Sequence, residues 1–99
     1  MLNINKKSQD GTLYYYLEGR LDTTTAPELE KDLGENLDGA DTLIWDFEKL
    51  EYISSAGLRV LLGAQKKMSK QGEMKVTNVN EVVMEIFDVT GFSDILTIE

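Results

Sequence analysis

Hydrophobic and polar residues alternate in two short stretches near the start of the chain. Leu2–Asn5 and Thr12–Glu18 both show the period of two that is typical of half-buried strands. The apolar face of the second stretch consists of Leu13, Tyr15 and Leu17. Ser8–Gly11 lies between the stretches and contains the Asp-Gly pair that favours a tight turn. The pattern therefore predicts an opening β-hairpin, with Tyr14 and Tyr16 on the opposite face of its second strand.

Two longer segments repeat their apolar residues every three to four positions, as amphipathic helices do. The first begins at Thr25–Glu28, which has the form of a capping box with proline in the first turn, and ends near Gly39. Its apolar stripe is Ala26, Leu29, Leu33 and Leu37. The second covers Ser55–Lys70 and stops at Gly72, after lysines that oppose the helix dipole. Its stripe is Leu58, Leu61, Leu62 and Met68.

A third helix is predicted between Asn80, a favourable N-terminal cap, and Gly91, a favourable C-terminal stop. Its buried stripe is expected to consist of Val82, Val83, Ile86 and Phe87. Met84 falls off this stripe, so it is expected to be an exposed residue.

Three further apolar runs are short enough to be strands. Thr42–Phe47 lacks strict alternation, which predicts a central strand covered on both faces or nearly so, with Trp45 in the core. Met74–Thr77 is a brief strand, and Ile95–Ile98 is expected to close the sheet as a last short one. The order β-β-α-β-α-β-α-β predicts an α/β fold with a partly parallel sheet, because helical crossovers join parallel strands.

Composition limits the possible partners. The chain has 99 residues, 41% of them hydrophobic, which suits one domain over residues 1–99. Its net charge of -8 would repel nucleic acid and anionic lipid, so neither is an expected partner. With no apolar leader and no membrane-length apolar run, we expect a soluble cytoplasmic protein.

The chain lacks the residues that most catalytic mechanisms require. Ser55 follows a strand and begins a helix, but the glycines of a hydrolase nucleophile elbow and any histidine base are missing. There is no cysteine and no glycine-rich nucleotide loop, and Asp38–Asp41 lacks the spacing of a calcium loop. We therefore expect no enzyme activity, no metal and no cofactor.

The adjacent hydroxyls of Ser54 and Ser55 then have two possible roles. One of them can cap the first turn of the following helix, which contributes about 1 kcal/mol. Alternatively, a serine at a helix start can accept a phosphoryl group. The residues alone leave both roles open.

The segment Asp46–Leu62 resembles the signature of the STAS family, the domain shared by sulphate transporters and bacterial anti-sigma-factor antagonists. Further segments match that family in order and spacing: Gly19–Asp22, Thr25–Glu28, Gly72–Met74 and Ile86–Phe92. The resemblance implies one STAS-like domain, with a mixed sheet of about four to five strands and helices packed mainly on one face. The short chain is more similar to the antagonists than to transporter tails.

In the antagonists of this family, the unphosphorylated protein binds an anti-sigma-factor serine kinase and so frees the sigma factor. The kinase phosphorylates the antagonist, and a metal-dependent serine phosphatase reverses the reaction. The resemblance implies the same two partners here. The alternative is a scaffold module that recruits a transporter, an ATPase or a signalling complex, with Ser54 and Ser55 serving only as caps.

Carried onto this sequence, the motif register assigns the phosphate to Ser55, and Ser54 is the less favoured acceptor. Ser54 replaces the usual acid of the motif, and Ala56 replaces a second hydroxyl. Asp22 matches an acidic position expected near the acceptor loop, although it would equally serve as a turn-forming residue. The implied partner-binding set is Asp22, Ser54, Ser55, Ala56, Gly57 and Leu58. Further acids, namely Asp46 and Glu48, are expected to add repulsion after phosphorylation.

Overall fold

The computed structural model describes residues 2–99. Its strands are β1 (Leu2–Gln9), β2 (Thr12–Leu21), β3 (Thr42–Ile53) and β4 (Glu73–Thr77). Its helices are α1 (Ala26–Asn36), α2 (Ser55–Gln71) and α3 (Glu81–Thr90), followed by a short 3₁₀ turn, Phe92–Asp94.

The four strands form one mixed sheet in the order β1-β2-β3-β4. The predicted hairpin is confirmed, because β1 and β2 are antiparallel and joined at Asp10 and Gly11, whose φ angles are 52° and 83°. Strand β2 pairs in parallel with β3, and β3 pairs in parallel with β4. Helices α1 and α2 make the two crossovers that parallel pairs require. The expected α/β fold with a mixed sheet is therefore confirmed.

The hydrophobic core lies between the helices and one face of the sheet. A row of aromatic rings crosses it, since neighbouring centroids are 5.2 Å apart for Tyr15 and Trp45, and 5.7 Å for Trp45 and Phe47. Phe87 of α3 continues the row at 6.3 Å from Phe47. Trp45 is fully buried, as predicted. The helices thus pack on one face, because this is where their apolar stripes meet the sheet.

Within residues 2–99 no helix lies on the opposite face of the sheet, so β3 is less covered there than predicted for a strand covered on both faces or nearly so. Leu43 and Trp45 are buried, whereas Ile44 and Asp46 between them are only partly buried. The tyrosines expected on this face do lie there: Tyr14 and Tyr16 stack with ring centroids 6.4 Å apart.

Strand β3 runs to Ile53, six residues beyond the predicted Thr42–Phe47. Its pairing with β2 has two irregularities, each of which adds one residue on the β3 side. These bulges place Phe47, Leu50 and Ile53 on the buried face at intervals of three, which hides the strand from a search for alternation. Strand β2 also extends past the predicted Glu18, because Gly19 takes a φ of 108° at the second bulge.

Helix α1 starts and ends differently from the prediction. The Thr25 side chain makes no capping bond to the helix; its Oγ1 donates to the carbonyl oxygen of Arg20 at 2.9 Å. The helix ends at Asn36 rather than near Gly39. Leu37 still reaches the core from just beyond the helix.

Helix α3 is capped as predicted, but its buried face is rotated. Asn80 accepts a hydrogen bond from the backbone nitrogen of Val83, and Gly91 ends the helix in the left-handed conformation. Val82, predicted to be buried, is 55% exposed, and Met84, predicted to be exposed, is partly buried against the core. The helix meets the sheet chiefly through Val83 and Phe87, which turns Val82 toward solvent.

The predicted final strand, Ile95–Ile98, is reduced to a single bridge. Val76 of β4 donates to the carbonyl oxygen of Thr97 at 2.8 Å and accepts from the nitrogen of Glu99 at 2.9 Å. The 3₁₀ turn at Phe92–Asp94 occupies the preceding residues, so too little extended chain is left to form a ladder.

Candidate functional site

The two serines lie where β3 passes into α2. Ile53 is the last residue of the strand, Ser54 is the N-cap, and Ser55 is the first residue of the helix. The backbone nitrogen of Ser54 donates to the carbonyl oxygen of Leu21 at 2.9 Å, and its carbonyl oxygen accepts from Leu58 at the same distance. The junction is thus tied both to the end of β2 and to the first turn of α2.

The two serine hydroxyls have opposite environments. The Ser54 backbone has an extended conformation suited to a cap, yet its side chain makes no capping bond. Its Oγ is buried and finds no hydrogen-bond partner among residues 2–99. Ser55 is exposed. Of these two hydroxyls, therefore, only that of Ser55 is accessible to another protein.

Gly57 fixes how closely α2 approaches the strand ends. A Cβ added there would lie 2.7 Å from Cγ of Leu21 and 2.8 Å from Cγ1 of Ile53, which is too close for a carbon contact. Leu58, the next residue, is buried in the core. Two members of the predicted partner-binding set, Gly57 and Leu58, therefore lie beneath the surface and position the helix. Ala56, a third member, is partly exposed.

Asp22 organises the turn between β2 and α1. Its Oδ1 accepts hydrogen bonds from the backbone nitrogens of Thr24 at 3.0 Å and Thr25 at 3.2 Å, and from the Thr24 hydroxyl at 2.7 Å. The bond from the Thr24 hydroxyl is the main reason that the pKa of Asp22 lies below its usual value. Asp22 therefore has the turn-forming role, and the backbone groups that it bonds lie just before the first residue of α1.

The parallel pairing brings Asp22 and the serines to the same edge of the sheet. Leu21 and Ile53, the last residues of β2 and β3, pair with each other. Asp22 and Ser54 are the residues that directly follow them. Asp46 and Glu48 are not part of this site. They lie near the bulge of β3, about 20 Å along the strand from its end at ~3.3 Å per residue, on a depression that also contains Tyr16.

Two residues at this edge were missed from the sequence. A shallow cleft between the starts of α1 and α2 is lined by Thr23 and Ala56, and also by Arg59 and Glu30. Arg59 is exposed, and it is the only charged residue between Ser55 and Gln65. An isolated cation one turn after a candidate acceptor was the sequence signal that could have found it.

The first turn of α2 is a suitable place for a negative charge. The first N–H groups of a helix have no acceptor within the helix, and the helix dipole favours an anion there. The first turn of α2 holds no acidic residue. A phosphate on Ser55 would therefore be stabilised by the helix without any rearrangement of the core.

No group of three or more potential ligands is assembled for a metal ion within residues 2–99. In the same part of the chain, no helix combines the length and the apolar character needed to cross a membrane.

The model of the STAS domain family matches residues 3–99, so the chain belongs to the STAS domain family. This confirms the resemblance carried by the segments around the serine pair. The fold agrees: a solved structure of an anti-sigma factor antagonist from Mycobacterium paratuberculosis superimposes with a TM-score of 0.89 at 23% identity. The match covers 99% of this chain and 85% of that one.

Two relatives are similar over most of their lengths. A putative anti-sigma factor antagonist, BtrV, from Bordetella bronchiseptica is 36% identical over 91 residues, covering 90% of this chain and 78% of the relative. An anti-sigma-B factor antagonist from Bacillus subtilis is 32% identical over 99 residues, covering 98% of this chain and 90% of the relative.

Proposed function

We propose that this protein is an anti-sigma-factor antagonist whose affinity for its partner is switched by phosphorylation of Ser55. The observation that carries the proposal is the contrast between the two hydroxyls: Ser55 is exposed at the start of α2, and Ser54 Oγ is buried. The names of the relatives at 36% and 32% identity support the general role.

The proposed partner is an anti-sigma-factor serine kinase. In the unphosphorylated state the surface around Ser55, with Ala56 and the Asp22 turn beside it, binds the kinase and displaces the sigma factor. The kinase then transfers the γ-phosphoryl group of ATP to the Ser55 oxygen, the hydroxyl proton is lost, and ADP leaves. A metal-dependent serine phosphatase hydrolyses the phosphoester and restores the binding form.

The switch works through charge rather than unfolding. Phosphoserine carries about -1.5 to -2 charges near pH 7, and this charge would have to lose its water when the kinase docks. The start of α2 stabilises the phosphate within the protein itself. The free-energy cost of phosphorylation therefore arises at the interface, when the kinase docks. This chain supplies only the acceptor hydroxyl, and the catalytic groups belong to the kinase and the phosphatase.

Titration calorimetry with the anti-sigma-factor serine kinase of the same genome tests the proposal. Ser55→Asp, which mimics part of the phosphate charge, is expected to weaken binding at least tenfold, equivalent to about 1.4 kcal/mol. Ser69→Asp is the matched control, because it adds the same charge to the exposed far end of α2. Equal affinities for the two variants would favour a scaffold role in which Ser55 is not a switch.

A further inference from the structure

Arg59 lies one helical turn after Ser55, on the exposed surface of α2. Residues four positions apart on a helix are neighbours, with Cβ atoms about 6 Å apart. The order also suits an ion pair, since an acidic group N-terminal to a basic one at this spacing is the favourable arrangement. A phosphate on Ser55 would create that order, with its negative charge in the first turn.

The guanidinium of Arg59 is not engaged elsewhere. It makes no ion pair within 4.0 Å with any residue from 2 to 99, although Glu30 of α1 lines the same cleft. The other arginine near this edge is already held. Arg20 stacks over the ring of Tyr52 at 4.5 Å, and its Nε lies 3.8 Å from Oδ2 of Asp22.

From this geometry we propose that Arg59 is a phosphate-binding residue that holds the phosphoryl group of phosphorylated Ser55. This inference rests on the proposed function, because it concerns the same acceptor. The planar guanidinium donates two parallel hydrogen bonds to phosphate oxygens, and the free N–H groups of the first turn face the phosphate from the other side. Glu30, the acid that lines the same cleft as Arg59, lies on α1 and not on α2.

Arg59 thereby gives the phosphorylated state a defined structure. In the unmodified protein it is a free cation beside the acceptor, available to the docking kinase. After phosphorylation it turns toward the phosphate and is withdrawn from the interface. The modification then acts twice, since it adds a negative charge and also removes an accessible positive one.

The test uses protein in which phosphoserine is incorporated at position 55 during translation, so that no kinase is needed. The single phosphate is titrated by ³¹P NMR in the wild type, in Arg59→Gln and in Lys70→Gln. Lys70→Gln is the matched control, because it removes the same charge from the far end of the same helix. Arg59→Lys retains the charge but not the planar pair of donors.

The second pKa of the phosphate is expected to lie below about 6 in the wild type, since the pair favours the dianion. Arg59→Gln is expected to raise it by about 0.3 unit or more. Lys70→Gln should leave it unchanged, and Arg59→Lys should give an intermediate value. Equal values for Arg59→Gln and Lys70→Gln would overturn the inference. Because the phosphate is installed without a kinase, that result would leave the assignment of Ser55 as the kinase target unaffected.

Discussion

Gly57 of α2 and Leu21 of β2 are packed so closely that a Cβ on the glycine would lie 2.7 Å from Cγ of the leucine. This contact sets the position of the helix that begins with Ser55. Gly57→Ala is therefore expected to lower the free energy of unfolding by about 1–3 kcal/mol, because it overpacks the junction. Urea unfolding followed by circular dichroism measures the change.

Gly63 is the matched control for this substitution. It lies in the same helix, and a Cβ there would meet nothing within 4 Å. Gly63→Ala is expected to raise the free energy of unfolding by up to about 1 kcal/mol, through helix propensity alone. If Gly57→Ala proved as stable as Gly63→Ala, the close approach of α2 to the strand ends would be wrong.

Tyr15 and Asp32 link the sheet to α1. The Tyr15 hydroxyl donates to Oδ1 of Asp32 at 2.5 Å, and the Lys6 ammonium lies 3.1 Å from Oδ2. Burial and this bond both raise the pKa of Tyr15. Tyr15→Phe is expected to lower the free energy of unfolding by about 1–2 kcal/mol, since it removes a donor from a partly buried carboxylate.

The same link makes stability depend on pH. Burial alone would raise the pKa of Asp32, but the bonds from Tyr15 and Lys6 outweigh it, and the pKa is lowered. A carboxyl whose pKa is lower in the folded state stabilises the fold above its unfolded pKa and loses that effect as the pH falls. The stability gap between the wild type and Asp32→Asn should therefore be largest near neutral pH and shrink below about pH 4. A gap that stays constant between pH 7 and pH 3 would contradict this coupling.

The turn at Asp22 predicts how one substitution changes the pKa of the Asp22 carboxyl. The hydroxyl of Thr24 makes the largest contribution to the lowered pKa of Asp22. Thr24→Val should therefore raise that pKa toward its ordinary value, as followed by NMR of the side-chain carboxyl carbon. Thr23→Val is the control, because Thr23 is exposed and the Asp22 carboxylate is bonded by Thr24 and Thr25 instead. Equal Asp22 pKa values in the two valine variants would show that the hydroxyl bond is not the cause.

The element order was predictable because local signals mark each boundary strongly. The turn at Asp10-Gly11, the cap at Asn80 and the stop at Gly91 all behave as their residue types indicate. Features that depend on neighbouring strands were not predictable. The length of β3 depends on two bulges against β2, and the spacing of three between Leu50 and Ile53 departs from the period of two that marks a strand.

In the candidate site, too, the features set by local sequence were predictable and those set by tertiary packing were not. The apolar stripe that begins after Ser55 predicted that both serines lie at a helix start, and the structure has them there. The burial of Ser54 Oγ could not be predicted, because it depends on how α2 packs over the ends of two strands. The turn-forming role of Asp22 was weighed against that of an acid near the acceptor loop, and only the three-dimensional turn reveals the bonds from Thr24 and Thr25.

Mass spectrometry after incubation with the cognate anti-sigma-factor serine kinase, ATP and magnesium tests the central claim most directly. The wild type and Ser54→Ala should each gain about 80 Da, the mass of one phosphoryl group. Ser55→Ala should gain nothing. Labelling of Ser55→Ala to the same extent as the wild type would contradict the assignment of Ser55 as the acceptor.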